Sequence, residues 1–210
     1  MKLKASLFAL SALAMMSGPA CSAKAEALAV KPETTTLENL QTAFSGESNA
    51  KARYEVFAAK AEIEGYLGVA GLFRAAALSE SILAARHAKG IEALGGTPNA
   101  DLKKPVVRST RENLKDAMKV ENRESKKMYP AFLAKAEEDK NQQAVYSFKG
   151  AIAAEAAHAQ MYGEALANLN AWKEGRKFLV CQTCGYTTTD LDIKVCPVCS
   201  QPRSQFTEVH

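Results

Sequence analysis

Val145-Tyr146-Ser147-Phe148-Lys149-Gly150-Ala151-Ile152-Ala153-Ala154-Glu155-Ala156-Ala157-His158-Ala159-Gln160-Met161-Tyr162 sets a carboxylate and an imidazole into an otherwise apolar helical pattern. Val145, Phe148, Ile152, Glu155, His158, Tyr162, Leu166 and Leu169 follow in steps of three and four. A helix beginning near Asn141 would carry them all on one face. The same arrangement recurs upstream. From Thr35 to about Gly175 the chain is rich in Ala, Glu, Lys and Leu and reads as helix nearly throughout. Thr35-x-x-Glu38 opens the first helix and Ser109-x-x-Glu112 the third, both as capping boxes.

The first stripe is Leu37, Leu40, Phe44, Glu47, Tyr54, Ala58 and Ala61, ended or kinked at Gly65-Tyr66. The second is Ala70, Phe73, Ala76, Glu80, Leu83 and His87, running to about Leu94. Gly95-Gly96-Thr97-Pro98 stops it, and a polar connection to Arg108 is long enough to cross the end of a bundle. The third is Leu114, Ala117, Glu121, Glu124, Met128 and Phe132, with a kink predicted at Pro130. The fold class is therefore an all-α four-helix bundle over residues 35–175.

Each helix brings carboxylate to its apolar face. A single glutamate on an alanine-rich helix is more often a solvated surface residue. Five in core positions, Glu47, Glu80, Glu121, Glu124 and Glu155, are another matter. One buried carboxylate without a partner costs several kcal/mol or takes up a proton. Two divalent cations between the helices would offset the charge, and Glu155-x-x-His158 is the pairing that di-iron carboxylate bundles use.

Residues 176–210 form a second unit. Cys181-Gln182-Thr183-Cys184 and Cys196-Pro197-Val198-Cys199 are separated by eleven residues. Two such turns facing each other put four thiolates at the corners of a tetrahedron, which suits Fe or Zn.

At 210 residues there is room for one medium domain and a small appendage. Met1-Lys2-Leu3-Lys4 is basic and Ala5 to Met16 is apolar but too short to span a bilayer. Residues 1–20 are accordingly predicted to be a secretory signal, which implies export to the periplasm or cell envelope. Two processing routes stay open. Cleavage after Ala25 would release a soluble protein, whereas Gly18-Pro19-Ala20-Cys21 is similar to a lipobox and would make Cys21 a membrane lipid anchor. Residues 21–34 read as a tether. Cutting before Cys21 removes Lys2 and Lys4 and no acid, so the net charge falls from +4 to +2. No basic stripe interleaved with aromatics is present, and nucleic acid is not an expected partner. Export carries a tension, because an oxidising compartment could pair Cys181 with Cys184 before metal arrives.

Taken together, these residues resemble rubrerythrin, a ferritin-like di-iron bundle fused to a C-terminal rubredoxin-like domain. The resemblance spans roughly Leu37 to Phe206. It rests on Phe44-Ser45-Gly46-Glu47-Ser48-Asn49-Ala50, Arg53-Tyr54, Glu64-Gly65-Tyr66, Glu121-x-x-Glu124, Met128-Tyr129-Pro130, Glu155-x-x-His158 and the cysteine module with Gly185-Tyr186. It implies that Glu47, Glu80, Glu121, Glu124, Glu155 and His158 ligate two Fe, with Tyr54 and Tyr129 beside them as catalytic residues. It implies one further Fe on Cys181, Cys184, Cys196 and Cys199, where Zn is the alternative. The implied activity is a peroxidase reducing hydrogen peroxide with electrons from an external donor, in a homodimer. Two other readings remain: an iron-binding or ferroxidase protein, and a scaffold with Zn on the cysteines. One position departs from the family, since Leu83 stands where Glu-x-x-His would place a ligand. Leucine cannot bind metal. His87 lies about 6 Å further along the helix and reads as a pocket-lining histidine, or as a ligand if the helix is distorted.

Overall fold

A computed structural model describes residues 34–210; the predicted signal over residues 1–20, most of the expected tether and Cys21 lie outside the described residues. Helix α1 (Thr36–Ile63) starts on the expected capping box. The Thr35 side chain accepts from the Glu38 amide and the Glu38 carboxylate from the Thr35 amide. Helix α2 (Leu67–Ala93) follows the Gly65-Tyr66 turn. It is the most apolar of the long helices because most of its surface is covered, packing on α1, α5 and the C-terminal sheet, with Arg74, Arg86 and Lys89 left on its open side. Helix α3 (Thr110–Arg123) opens on Ser109 with the second capping box.

The third helix differs from the sequence reading. Its irregularity is a π-helical turn over Glu124–Met128, after which α4 (Tyr129–Glu138) resumes with Pro130 in its first turn. A wide turn leaves unbonded amides at its end, which is where proline costs nothing. Asn141 caps α5 (Gln142–Ala167) through its side chain.

The apolar core falls into two halves. Tyr54, Phe57, Phe73, Leu114 and Tyr162 fill one. Leu40, Leu83, Ile91, Tyr129 and Phe148 fill the other. The glutamates belong to neither.

Strands β1 (Phe178–Cys181), β2 (Thr187–Thr188) and β3 (Phe206–Val209) make an antiparallel sheet in the order β2-β1-β3. Val180 pairs with Thr187 and Cys181 with Phe206. This lobe shares a core of Leu179, Phe206 and the cysteines, and it packs against α2 and α5.

Candidate metal centres

Five chain segments bring their acids to one level of the bundle. Glu47 comes from α1, Glu80 from α2, Glu121 from α3, Glu124 from the π turn, and Glu155 with His158 from α5. Glu80, Glu121, Glu155 and His158 each offer a ligand atom within 4.8 Å of the others, and all four are buried. His158 Nδ1 stands 3.3 Å from Glu80 Oε1 and 3.5 Å from Glu155 Oε2. Glu47 is buried alongside them, and Glu124 is half-buried at the rim.

The hydrogen bonding of this layer is incomplete in one direction only. Glu47 Oε1, both oxygens of Glu80, Glu121 Oε2, both oxygens of Glu155 and His158 Nδ1 are buried without a hydrogen-bond partner in the protein. Folded proteins rarely leave even one such atom. Those orphaned atoms are hard oxygens plus one imidazole nitrogen, a donor set that fits divalent iron, manganese or zinc. The residues therefore fit a pair of metal ions.

Electrostatics agree. Burial, then repulsion from Glu80, Glu124 and Glu121, pushes the Glu47 carboxyl well above the ordinary range. Burial, then Glu121, Glu80 and Glu47, does the same to Glu155. Glu80 is raised by burial against the opposing pull of His158, and Glu124 is pushed up to about 8, chiefly by burial and then by Glu121 and Glu80. Burial pushes His158 down, but the Glu80 carboxylate 3.3 Å away, and then Glu121, outweigh that and raise it.

The aromatic residues divide. The Tyr54 hydroxyl donates to Glu121 Oε1, so the structure brings that expected residue into the layer. Tyr129 stands on the other side, its hydroxyl 3.4 Å from His87 Nε2. His87 is fully buried although α2 runs unbroken through it. Burial, with a smaller effect from Arg86, holds its pKa down to about 3, leaving the ring neutral. Leu83 faces elsewhere. Its Cδ2 lies 3.0 Å from the position a Cβ would take on Gly185.

In the lobe the two knuckles are built alike. The Gly185 amide donates to Cys181 O and the Ser200 amide to Cys196 O, each at 2.9 Å. The residue after each second cysteine takes positive φ, 81° at Gly185 and 60° at Ser200. The four sulfurs lie within 4.8 Å of one another, with Cys181–Cys199 and Cys184–Cys196 at 3.6 Å. That is far beyond a disulfide bond of about 2.05 Å. A metal–sulfur bond of about 2.3 Å places tetrahedral sulfurs about 3.8 Å apart, so the cage has the right size. A hydrogen bond from the Cys184 thiol, then the Thr183 and Cys184 amides, pulls Cys181 down to about 5. Burial pushes Cys199 up to about 11.

The two centres touch through a short hydrogen-bonded bridge. The carbonyl of Gly185, next to Cys184, accepts from Ser79 Oγ at 2.6 Å and Thr187 Oγ1 at 3.1 Å. Thr187 Oγ1 also lies 3.1 Å from His158 Nε2. With the Thr187 hydroxyl donating to Gly185 O, Thr187 Oγ1 accepts the His158 Nε2–H and leaves Nδ1 with its lone pair toward the glutamates. Ser79 precedes Glu80, so both arms of the bridge end at a candidate ligand. Gly150 permits the close approach, since a Cβ there would sit 3.1 Å from Cys184 O.

Sequence reasoning does not find Ser79, Thr187 or Ser147, because their roles arise only when the lobe and helices meet. Tyr162, placed by its stripe in the core, has a buried unpartnered hydroxyl. Arg53 carried one available signal, its position beside Tyr54. Its guanidinium lies 5.1 Å from the Tyr54 ring centroid.

The family model described as Rubrerythrin matches residues 38–166. Nigerythrin of Nitratidesulfovibrio vulgaris (strain Hildenborough) is 37% identical over 174 residues, covering 82% of this chain and 86% of that protein. The chain belongs to the rubrerythrin family. Rubrerythrin of Porphyromonas gingivalis is 34% identical over 179 residues, covering 81% of this chain and 88% of that protein. A solved structure of nigerythrin, fully reduced and all ferrous, is similar with a TM-score of 0.78 at 34% identity, covering 87% of this chain and 91% of that one. Architecture and comparisons agree on a ferritin-like helical bundle with a rubredoxin-like four-cysteine lobe, as the resemblance implied.

Proposed function

We propose that this member of the rubrerythrin family is a non-haem di-iron peroxidase reducing hydrogen peroxide to water. The observation that carries the reading is the layer of unpaired carboxylate oxygens joined by hydrogen bonds to a four-thiolate site in the same chain. Glu47, Glu80, Glu121, Glu124, Glu155 and His158 would hold two irons, and Cys181, Cys184, Cys196 and Cys199 a third. Iron bound at these residues would supply one-electron redox chemistry at both sites.

The chain's own contribution is access, orientation and connection. Glu124, the half-buried candidate ligand, lines a cavity of about 430 Å³ together with Gly46, Asn49, Arg53 and Lys103. This cavity is the route by which peroxide reaches the layer. Tyr54, buried and with its pKa raised by burial and then by Glu121, keeps its proton and orients Glu121. The bridge through Gly185, Thr187 and Ser79 connects the lobe to His158 and Glu80 within one subunit.

Anaerobically reduced protein mixed with peroxide in stopped flow is expected to regain its red ferric thiolate absorbance faster than with dioxygen. Equal or slower recovery would count against a peroxidase, and a colourless zinc-filled lobe would favour the scaffold. Thr187→Val is expected to leave both metal contents unchanged and slow re-reduction of the bundle about tenfold, within the range for partners of metal ligands. Single-turnover absorbance with matched metal analysis checks this.

A further inference from the structure

At the α1 edge of the acid layer two buried polar atoms face each other without a partner of good geometry. Glu47 Oε1 has no hydrogen bond, and His87 Nε2 stands 4.0 Å from it. That separation is too long for a hydrogen bond, which needs about 2.7–3.2 Å. It leaves room for an ion between the two atoms, because carboxylate–metal and imidazole–metal bonds are each about 2.0–2.2 Å.

The remainder of the ring is arranged accordingly. Ser147 Oγ lies 2.9 Å from His87 Nδ1, and a hydroxyl can accept there as readily as donate. With Nδ1–H given to Ser147, the Nε2 lone pair points at Glu47. Tyr129 Oη is at 3.4 Å, a weak partner. Seven residues return a side chain to within about 20° of the Glu80 direction but carry it about 10 Å along the axis. His87 thus meets Glu47 of α1 at 4.0 Å, while Leu83 packs where Gly185 approaches.

We propose that His87 is a metal ligand, binding through Nε2 together with Glu47 the ion on the α1 side of the layer, while His158 binds its neighbour through Nδ1. The proposal rests on the reading that the carboxylate layer holds metal, and the following test separates the two. Full-length protein labelled with ¹⁵N-histidine is loaded with Co(II), and strongly shifted, slowly exchanging imidazole N–H signals are counted by NMR. The chain has three histidines, His87, His158 and the exposed His210. Two signals are expected, Nε2–H of His158 bonded to Thr187 and Nδ1–H of His87 bonded to Ser147. His158→Asn should remove one and His87→Phe the other. His87→Phe should also weaken one bundle Co(II) binding step by at least about tenfold, leaving the cobalt–thiolate bands unchanged. A single signal, lost in His158→Asn, overturns the proposal and leaves the metal reading standing. No shifted signal overturns both. The wild-type count decides even if His87→Phe fails to fold.

Discussion

With the carboxylate layer emptied by mild chelation, the protein is expected to lose stability as pH rises from 6.5 to 8, and a divalent ion should abolish the loss. Glu124 is held up to about 8 against an ordinary value of 4.5, and Glu47, Glu155 and Glu80 are also raised. The folded state therefore keeps protons that the unfolded chain has released. Stability is complete below the unfolded value and falls as pH climbs through the folded one. His158, also raised, acts in the same sense, losing its contribution as pH rises through its folded value. His87 opposes below 6.5, because its pKa near 3 means that the unfolded chain binds the proton first. That opposition is half spent at 6.5 and fades over the next pH unit, so the acids dominate between 6.5 and 8. Glu124 alone would contribute about 2 kcal/mol across it, a fall in Tm on the order of 5 °C for a chain this size. Circular-dichroism melts at the two pH values, with and without Co(II), measure it. A flat or rising profile would mean that these acids are not crowded together in a dry layer. Cobalt should also release protons on binding, since ions replace the shared hydrogens.

Much of this site is written in the periodicity of the chain. Glu47, Glu80, Glu121, Glu155 and His158 fall in apolar stripes, and all five are buried in one layer. Caps are equally legible because they are local: Thr35 with Glu38, and Ser109 with Glu112, need only three residues to specify them. The cysteine cage is legible because a knuckle closes over four residues. What escapes is whatever changes the helical count or depends on a second element. The π turn at Glu124–Met128 widens one turn without a composition signal, so the irregularity is assigned to Pro130, the residue with an obvious mechanism. That turn matters to the site because it sets Glu124 at the rim. His87, by contrast, lies in the α2 stripe as read from the sequence, a pocket-lining histidine or a ligand, and it is fully buried 4.0 Å from Glu47. Thr187 and Ser79 have no local reason to be polar and buried. The Ser79 hydroxyl is explained by a carbonyl, and that of Thr187 by an imidazole, each supplied from another segment.

That shared carbonyl makes Gly185→Ala the substitution expected to do most harm without touching a ligand. Gly185 has φ +81°, a conformation that costs a residue with a Cβ about 1–2 kcal/mol. The added methyl would sit 3.0 Å from Leu83 Cδ2 and from Ser79 Oγ, and 3.1 Å from Leu83 Cγ. Leu83 and Ser79 are both fully buried, so neither has solvent to move into. Relief requires the lobe to lift off α2, which breaks the Ser79 and Thr187 hydrogen bonds to Gly185 O at roughly 1 kcal/mol each. A total destabilisation of about 2–4 kcal/mol is expected, together with loss of hydrogen-exchange protection in β2. Metal content should hold at both centres, because every sulfur and carboxylate remains in its own unit. Re-reduction of the bundle should slow more than in Thr187→Val, since both arms of the bridge open together. Leu83→Ala in the same chain makes room for the methyl, so the double variant should recover part of the stability and the two effects should not add. Strict additivity, or an unchanged melt in Gly185→Ala alone, would show that Leu83 does not seat the lobe. The leucine at this position would then need another explanation than the contact that now accounts for it.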